Sequence, residues 1–273
     1  MVEAGKSENT KLAKKVRETW SGSDILRELT STADRAMRPL AMKYKGVTST
    51  RSSATIDRQF DQMIEDLNRD KPDCVVSGDI STWSARGDRN AWHEHHDYVL
   101  HTAKVPEGVS FKHLWADIKG VCSKMGIHEN WDSNLGMYQG FTATGDTLLN
   151  QHLCLYSIRV AKERGVFTED EACFAAGLID DFVITAKMQN ERPMKDRAET
   201  VLKYFKIVCE VFESAGAAVD DIKTILSTIK ILFLNAFFCE GSEVLLPMKT
   251  AGKVERSHYV RFATPFQHCN TIF

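Results

Sequence analysis

Two apolar runs, residues 174–179 and 182–186, stand with only Asp180 and Asp181 between them. An unbroken apolar run of five or six residues suits a strand buried on both faces, and so short a link joins antiparallel neighbours. The stretch therefore predicts a tight β-hairpin with two carboxylates at its tip. A shorter run, Cys74-Val75-Val76, predicts another buried strand, whose end delivers Ser77-Gly78-Asp79. Acidic side chains are rarely buried without a partner, so an Asp ending one apolar strand and an Asp pair between two others need a cation. Two Mg²⁺ ions roughly 4 Å apart would neutralise such carboxylates while clamping the attacking and leaving oxygens of a phosphoryl transfer. One Asp at a strand end is ordinarily a turn residue. The ordered set carries the specificity.

Around these strands the periodicity is helical. Phe60, Met63, Ile64 and Leu67 recur at helical spacing up to Lys71-Pro72, and Trp92, His96, Val99, Leu100 and Ala103 form a second stripe. Residues 111–125, closed by Gly126, read as a third helix, and 127–145 as a Gly- and Asn-rich loop. A mostly apolar helix follows from Asp146 to Arg164, ended by Gly165; another is opened by Pro193 and ended near Gly216. Residues 229–239 and 244–246, linked by Glu240-Gly241-Ser242, predict a second hairpin. No internal repeat or Gly/Ser linker divides the 273 residues, which read as one α+β unit.

Charge and apolar runs exclude several classes. Thirty-five basic residues against 37 acidic ones give a net charge of −2, so nucleic-acid binding would need a local basic face. Basic residues outnumber acidic ones ten to four between residues 11 and 51, a stretch expected to form basic helices, which would supply such a face or simply a solvated one. The longest apolar run, residues 231–238 with Asn235 inside it, falls far short of the ~20 residues that span a bilayer. The N-terminus lacks an apolar signal core, and the seven Cys never fall as C-x-x-C. The expectation is a reduced, intracellular protein without a cysteine-based zinc site.

The ordered motifs resemble the palm of a viral RNA-directed RNA polymerase, in detail the negative-strand group. Ser77-Gly78-Asp79-Ile80-Ser81-Thr82-Trp83-Ser84 is similar to that group's first palm motif, with Thr82 where Lys is usual. Gly136-Met137-Tyr138-Gln139-Gly140, followed by Asp146-Thr147-Leu148-Leu149-Asn150, resembles the second. Leu178-Ile179-Asp180-Asp181 stands where such enzymes have Gly-Asp-Asp or Gly-Asp-Asn, and its Ile-Asp-Asp suggests a qinvirus-like lineage. Ile222-Lys223, then residues 237–241 with Pro247 and Lys249, look like the fourth and fifth motifs. The resemblance spans about residues 75–250. With Ile179 replacing Gly, an ordinary β conformation is expected before the turn, because a β-branched residue tolerates positive φ poorly.

What the resemblance implies is a right-hand palm, an antiparallel sheet backed by helices, with part of the fingers and the thumb absent or truncated. It divides the chain into a basic, helical, fingers-like region at 1–72, a palm at 73–250 with inserted fingers helices at about 90–130, and the start of a truncated C-terminal region at 251–273, as in a fragment of a larger polymerase. Asp79 and Asp180 become the primary ligands of two Mg²⁺ or Mn²⁺ ions, with Asp181 the weaker ligand. Gln139 and Gly140 lie along template and nascent base pair, and Asn150 near the ribose 2′-OH. Lys223 donates a proton to the leaving pyrophosphate or neutralises it. Lys43, Lys45 and Arg51 meet template and triphosphate phosphates. The implied partners are RNA template, nascent RNA, nucleoside triphosphates and the remaining polymerase domains, in the host cytoplasm or in the virion. Two other classes share these features. A reverse transcriptase places a bulky aromatic against the 2′-OH, where this chain has the small Ser84; an inactive palm-like module that only binds RNA has no need of all three Asp. His93, Asp97 and His101, at i, i+4 and i+8 beside Glu94 and His95, form a candidate metal face or simply the polar side of an amphipathic helix.

Overall fold

The computed structural model describes residues 3–7, 17–21, 24–47, 65, 71–81, 88–105, 110, 142–188, 193–233, 236–239 and 242–244. The expected helices at 56–71 and 111–125 lie outside these residues, save Glu65, which is helical, and Lys71 at the expected stop, with φ +46°. In chain order the elements are β1 (Glu3–Ser7), β2 (Arg17–Ser21), α1 (Asp24–Ala41), β3 (Cys74–Ser81), α2 (Arg89–Thr102), α3 (Ala143–Glu163), β4 (Ala172–Leu178), β5 (Asp181–Lys187), α4 (Met194–Ser214), β6 (Ala218–Val219), β7 (Ile225–Ser227), β8 (Lys230–Phe233), β9 (Ala236–Cys239) and β10 (Ser242–Glu243). This is an α+β fold built on an antiparallel sheet with four described helices.

The sheet runs β4-β5-β3-β6, and β7 also pairs with β3, beside β6 along the same edge. The alternation of β3 and β5 explains why both strands read as continuous apolar runs. Cys74, Val76 and Ile80, with Phe182, Ile184 and Ala186, face one way and join the core formed with α3 and α4. Val75 and Val183 face the other way, against Ile231, Phe233 and Phe238 of a small β10-β9-β8 sheet. A strand buried on both faces loses its polar/apolar alternation. Asp79 and Asp181 fall, by the two-residue period, on the Val75–Val183 side.

α3 packs between the sheet and the other helices, so most of its residues from Thr144 to Ala161 are buried, with Leu155, Tyr156 and Arg159 left exposed. Its far side meets α1 and α2 through a third cluster containing Met37, Val99, Leu100 and Leu148. The buried Asp34 carboxylate on α1 accepts from the Thr144 amide at 2.8 Å and from its hydroxyl at 2.9 Å, tying α1 to the start of α3. Tyr204 of α4 and Ser157 of α3 share a buried hydroxyl pair at 2.9 Å. The ends follow local chemistry: Asp88 caps α2 by accepting from the Asn90 and Ala91 amides, and Gly165 and Gly216, with φ of +69° and +73°, follow α3 and α4.

Three expectations change. The first described residues of the basic N-terminal region pair as the antiparallel strands β1 and β2, because a charge excess carries no helical period, whereas α1 in the same region is a helix. Residues 230–243 form a three-stranded meander, since the apolar run turns back between Phe233 and Ala236. The acidic hairpin's loop is Ile179-Asp180, one residue earlier than expected, and Asp181 already pairs within the sheet. Among the described residues no helix is long and apolar enough to cross a membrane, and the described cysteines are free thiols.

Candidate active site

The register of β3 against β5 decides the site: Asp79 is paired directly with Asp181. A hundred residues apart in sequence, they meet because the apolar residues of both strands must share the same two cores, and a slip of one position would turn each set inside out. The Ile80 amide donates to the Asp180 carbonyl at 2.8 Å, so the hairpin tip is stitched to the residue after Asp79. Three carboxyl groups thus converge at one end of the sheet. Burial, then the charges of Asp180 and Asp79, push the Asp181 carboxyl up from 3.8 to about 6, and Lys223 offsets part of this.

Lys223 reaches the site because β6 and β7 leave β3 unpaired at its middle. β6 pairs with Ile80 and Ser81, β7 with Val75, Val76 and Ser77, and residues 220–224 bulge out beside Gly78 and Asp79. The Asp220 amide donates to the Asp79 carbonyl at 2.9 Å, while its Oδ1 accepts from the Ile222 and Lys223 amides. This Asx-type turn aims the Lys223 ammonium at Asp79 Oδ2, with Asp220 Oδ2 3.5 Å away. The hydrogen bond to Asp79 raises the Lys223 pKa, so the chain keeps an ammonium there. Asp220 escapes sequence reasoning; its only signal is a turn-forming Asp three residues before Lys223.

Ile179 corrects the expected backbone. Its φ is +54°, in the region a β-branched residue seldom occupies, at a typical cost of about 1–3 kcal/mol. α3 holds it there. Thr147 Oγ1 accepts the Ile179 amide at 3.2 Å, and Asn150 Nδ2 donates to the Ile179 carbonyl at 3.1 Å and to the Asp181 carbonyl at 2.9 Å. Asn150 is wholly buried. Its amide protons are directed at this backbone, a task its sequence position did not suggest.

The exposed Lys43 and Lys45 lie in the loop after α1, where Val47 bridges Gly177 and the Gly177 amide donates to the Gly46 carbonyl. That contact sets Lys45 near the strand leading into the Asp180 turn. It also requires glycine at 46, where a Cβ would lie 2.1 Å from the Ala175 carbonyl oxygen. Ser84, Gln139, Gly140 and Arg51, like Thr82, lie outside the described residues.

The histidines of α2 separate. His93 is buried, Asp97 accepts from the Ser110 hydroxyl at 2.8 Å, and His101 is exposed. His95 turns instead to His152 of α3, Nε2 to Nδ1 at 2.8 Å, and burial lowers both imidazoles, His95 to about 2. α2 packs against α1 and α3, which buries His93 and half-buries His95 and Asp97, while Asn90, Glu94, Tyr98 and His101 stay exposed as on the polar side of an amphipathic helix.

Among the described residues no three His, Cys, Asp or Glu side chains stand preassembled as a metal site. The donor set at the sheet end nevertheless fits a hard divalent cation: burial, and then the neighbouring carboxylates, raise the Asp181 carboxyl to about 6, and a lysine ammonium stands on Asp79. No family model matches the chain, and no curated protein matches it.

Proposed function

We propose that the chain is the palm, with part of the fingers, of an RNA-directed RNA polymerase, transferring a nucleotidyl group from a nucleoside triphosphate to an RNA 3′-hydroxyl. The observation that carries this is the pairing of Asp79 with Asp181 across two antiparallel strands, with Asp180 at the turn beside them and the Lys223 ammonium on Asp79. Strand-end carboxylates plus a cationic donor make up the charge complement of phosphoryl transfer.

Asp79 and Asp180 would hold two Mg²⁺ or Mn²⁺ ions, which when bound supply Lewis acidity to the 3′-hydroxyl and to the phosphoryl oxygens. Everything else falls to the chain. Asp181, whose carboxyl burial and its two neighbours hold above the ordinary range, supports the pair rather than leading it. Lys223, held in its charged form and half exposed, can hand a proton to the leaving pyrophosphate oxygen, and the Asp220 turn sets its direction. Lys43 and Lys45 offer exposed charge for template or triphosphate phosphates.

The test is primer extension on an RNA template with ribo- and deoxyribonucleotides in separate reactions, with Mg²⁺, Mn²⁺ and chelator, on the chain alone and with the rest of its polymerase supplied. Ribonucleotide incorporation that disappears with chelator and in Asp79→Asn supports the reading. Preference for deoxyribonucleotides would reassign the chain to a reverse transcriptase. RNA binding without incorporation under every condition would leave an inactive binding module.

A further inference from the structure

The tip of the acidic hairpin is a strained backbone held from outside itself. Ile179 occupies φ +54°, which its β-branched side chain disfavours although that side chain packs, half-buried, against the core. The compensation comes from α3, whose Thr147 and Asn150 are both fully buried. Thr147 takes the Ile179 N–H, and the Asn150 carboxamide bonds the carbonyls of Ile179 and Asp181, the two residues flanking Asp180. On the far side the Asp180 carbonyl accepts from Ile80, next to Asp79. Access for Asn150 depends on Gly177, where a Cβ would stand 3.2 Å from Asn150 Cγ.

We propose that Asn150, backed by Thr147, is a positioning residue: it holds Ile179 left-handed and so fixes where Asp180 stands relative to Asp79. The functional consequence, though not the clamp itself, rests on the metal-binding reading above. Glycine adopts positive φ at no steric cost, so a glycine at 179 makes the clamp dispensable, whereas isoleucine makes it obligatory. Asn150 and Ile179 are therefore energetically coupled, and the coupling is absent if Asn150 acts only by packing or only on a sugar.

The experiment compares wild type, Asn150→Ala, Ile179→Gly and the double variant by two readouts on the full chain: Mn²⁺ affinity by titration calorimetry, and hydrogen–deuterium exchange in peptides covering residues 176–184 and Ile80. Asn150→Ala should weaken Mn²⁺ binding by about tenfold and accelerate exchange in the hairpin peptide. Ile179→Gly alone should leave both near wild type, and in the double variant it should bring Mn²⁺ affinity back to within about twofold of wild type and recover most of the protection. Should Asn150→Ala fail to fold, Thr147→Val, nearly isosteric and lacking only the hydroxyl that accepts from Ile179, takes its place with a smaller expected effect. Unchanged exchange in the hairpin of either α3 variant, or a double variant no better than Asn150→Ala, overturns the proposal. Wild type that binds no Mn²⁺ overturns the metal reading instead, and the exchange rescue still decides the clamp.

Discussion

Replacing Asp181 by Asn removes one charge from a crowded trio while keeping the side chain's shape. In the folded chain this carboxyl is raised from 3.8 to about 6, first by burial and then by Asp180 and Asp79. The folded state therefore keeps a proton that the unfolded chain releases, and stability without metal falls as pH rises from about 4 to about 6. Above that the penalty is full and constant; below about 4 it vanishes. At 1.36 kcal/mol per pKa unit the rise is worth about 3 kcal/mol, which solvent access to this half-buried group reduces to about 1–2 kcal/mol. For a chain of this size that is roughly 2–8 °C in Tm. In differential scanning fluorimetry with chelator, Asp181→Asn should melt higher than wild type by that amount at pH 7.5 and show no gain at pH 4. Added Mn²⁺ should stabilise wild type more than the variant. A gain of equal size at both pH values, or a loss at pH 7.5, would refute the crowding argument.

Three further outcomes are expected. Asp79→Asn and Asp180→Asn should each abolish primer extension while Asp181→Asn retains measurable activity, more with Mn²⁺ than Mg²⁺ because Mn²⁺ accepts nitrogen-containing ligands more readily; equal, complete loss in all three contradicts the ranking. Lys223→Met should slow incorporation by about 10²-fold with Mn²⁺ affinity undiminished, and a calorimetric loss of Mn²⁺ binding would make Lys223 a structural rather than a proton-donating group. Asp34→Ala, which strips the Thr144 amide and hydroxyl of their shared buried acceptor, should cost about 2–3 kcal/mol in urea unfolding, and an effect within experimental error would show that α1 is not tied to α3 this way.

Much of this architecture is legible in the chain because it rests on local rules. Residues 174–186 read as a hairpin since strands with apolar residues on both faces have few other places to go, and Val183 and Ile184 do face opposite cores. Helices α3 and α4 end where Gly165 and Gly216 permit positive φ. The three Asp residues were separable from ordinary turn residues only as an ordered set on apolar strands, and strand register then brought Asp79 to Asp181. Charge alone says little about secondary structure, as at β1 and β2, because charge density has no period.

What the amino-acid sequence determines by itself is which segments become strands and helices, where they stop, and which carboxylates ride on buried strands, all set by neighbours within a few positions. What only the tertiary structure decided is the use made of those carboxylates. The sterics of a lone isoleucine argue for a β conformation at 179, yet donors and acceptors from Asn150 and Thr147, about 30 residues earlier, hold it at φ +54°. Lys223 meets Asp79 across 144 positions only because β6 and β7 leave β3 unpaired between them. His95, on a different side of α2 from His93, bonds His152 on another helix. Each of these is a contact between distant segments, whose energy depends on packing that no local pattern encodes.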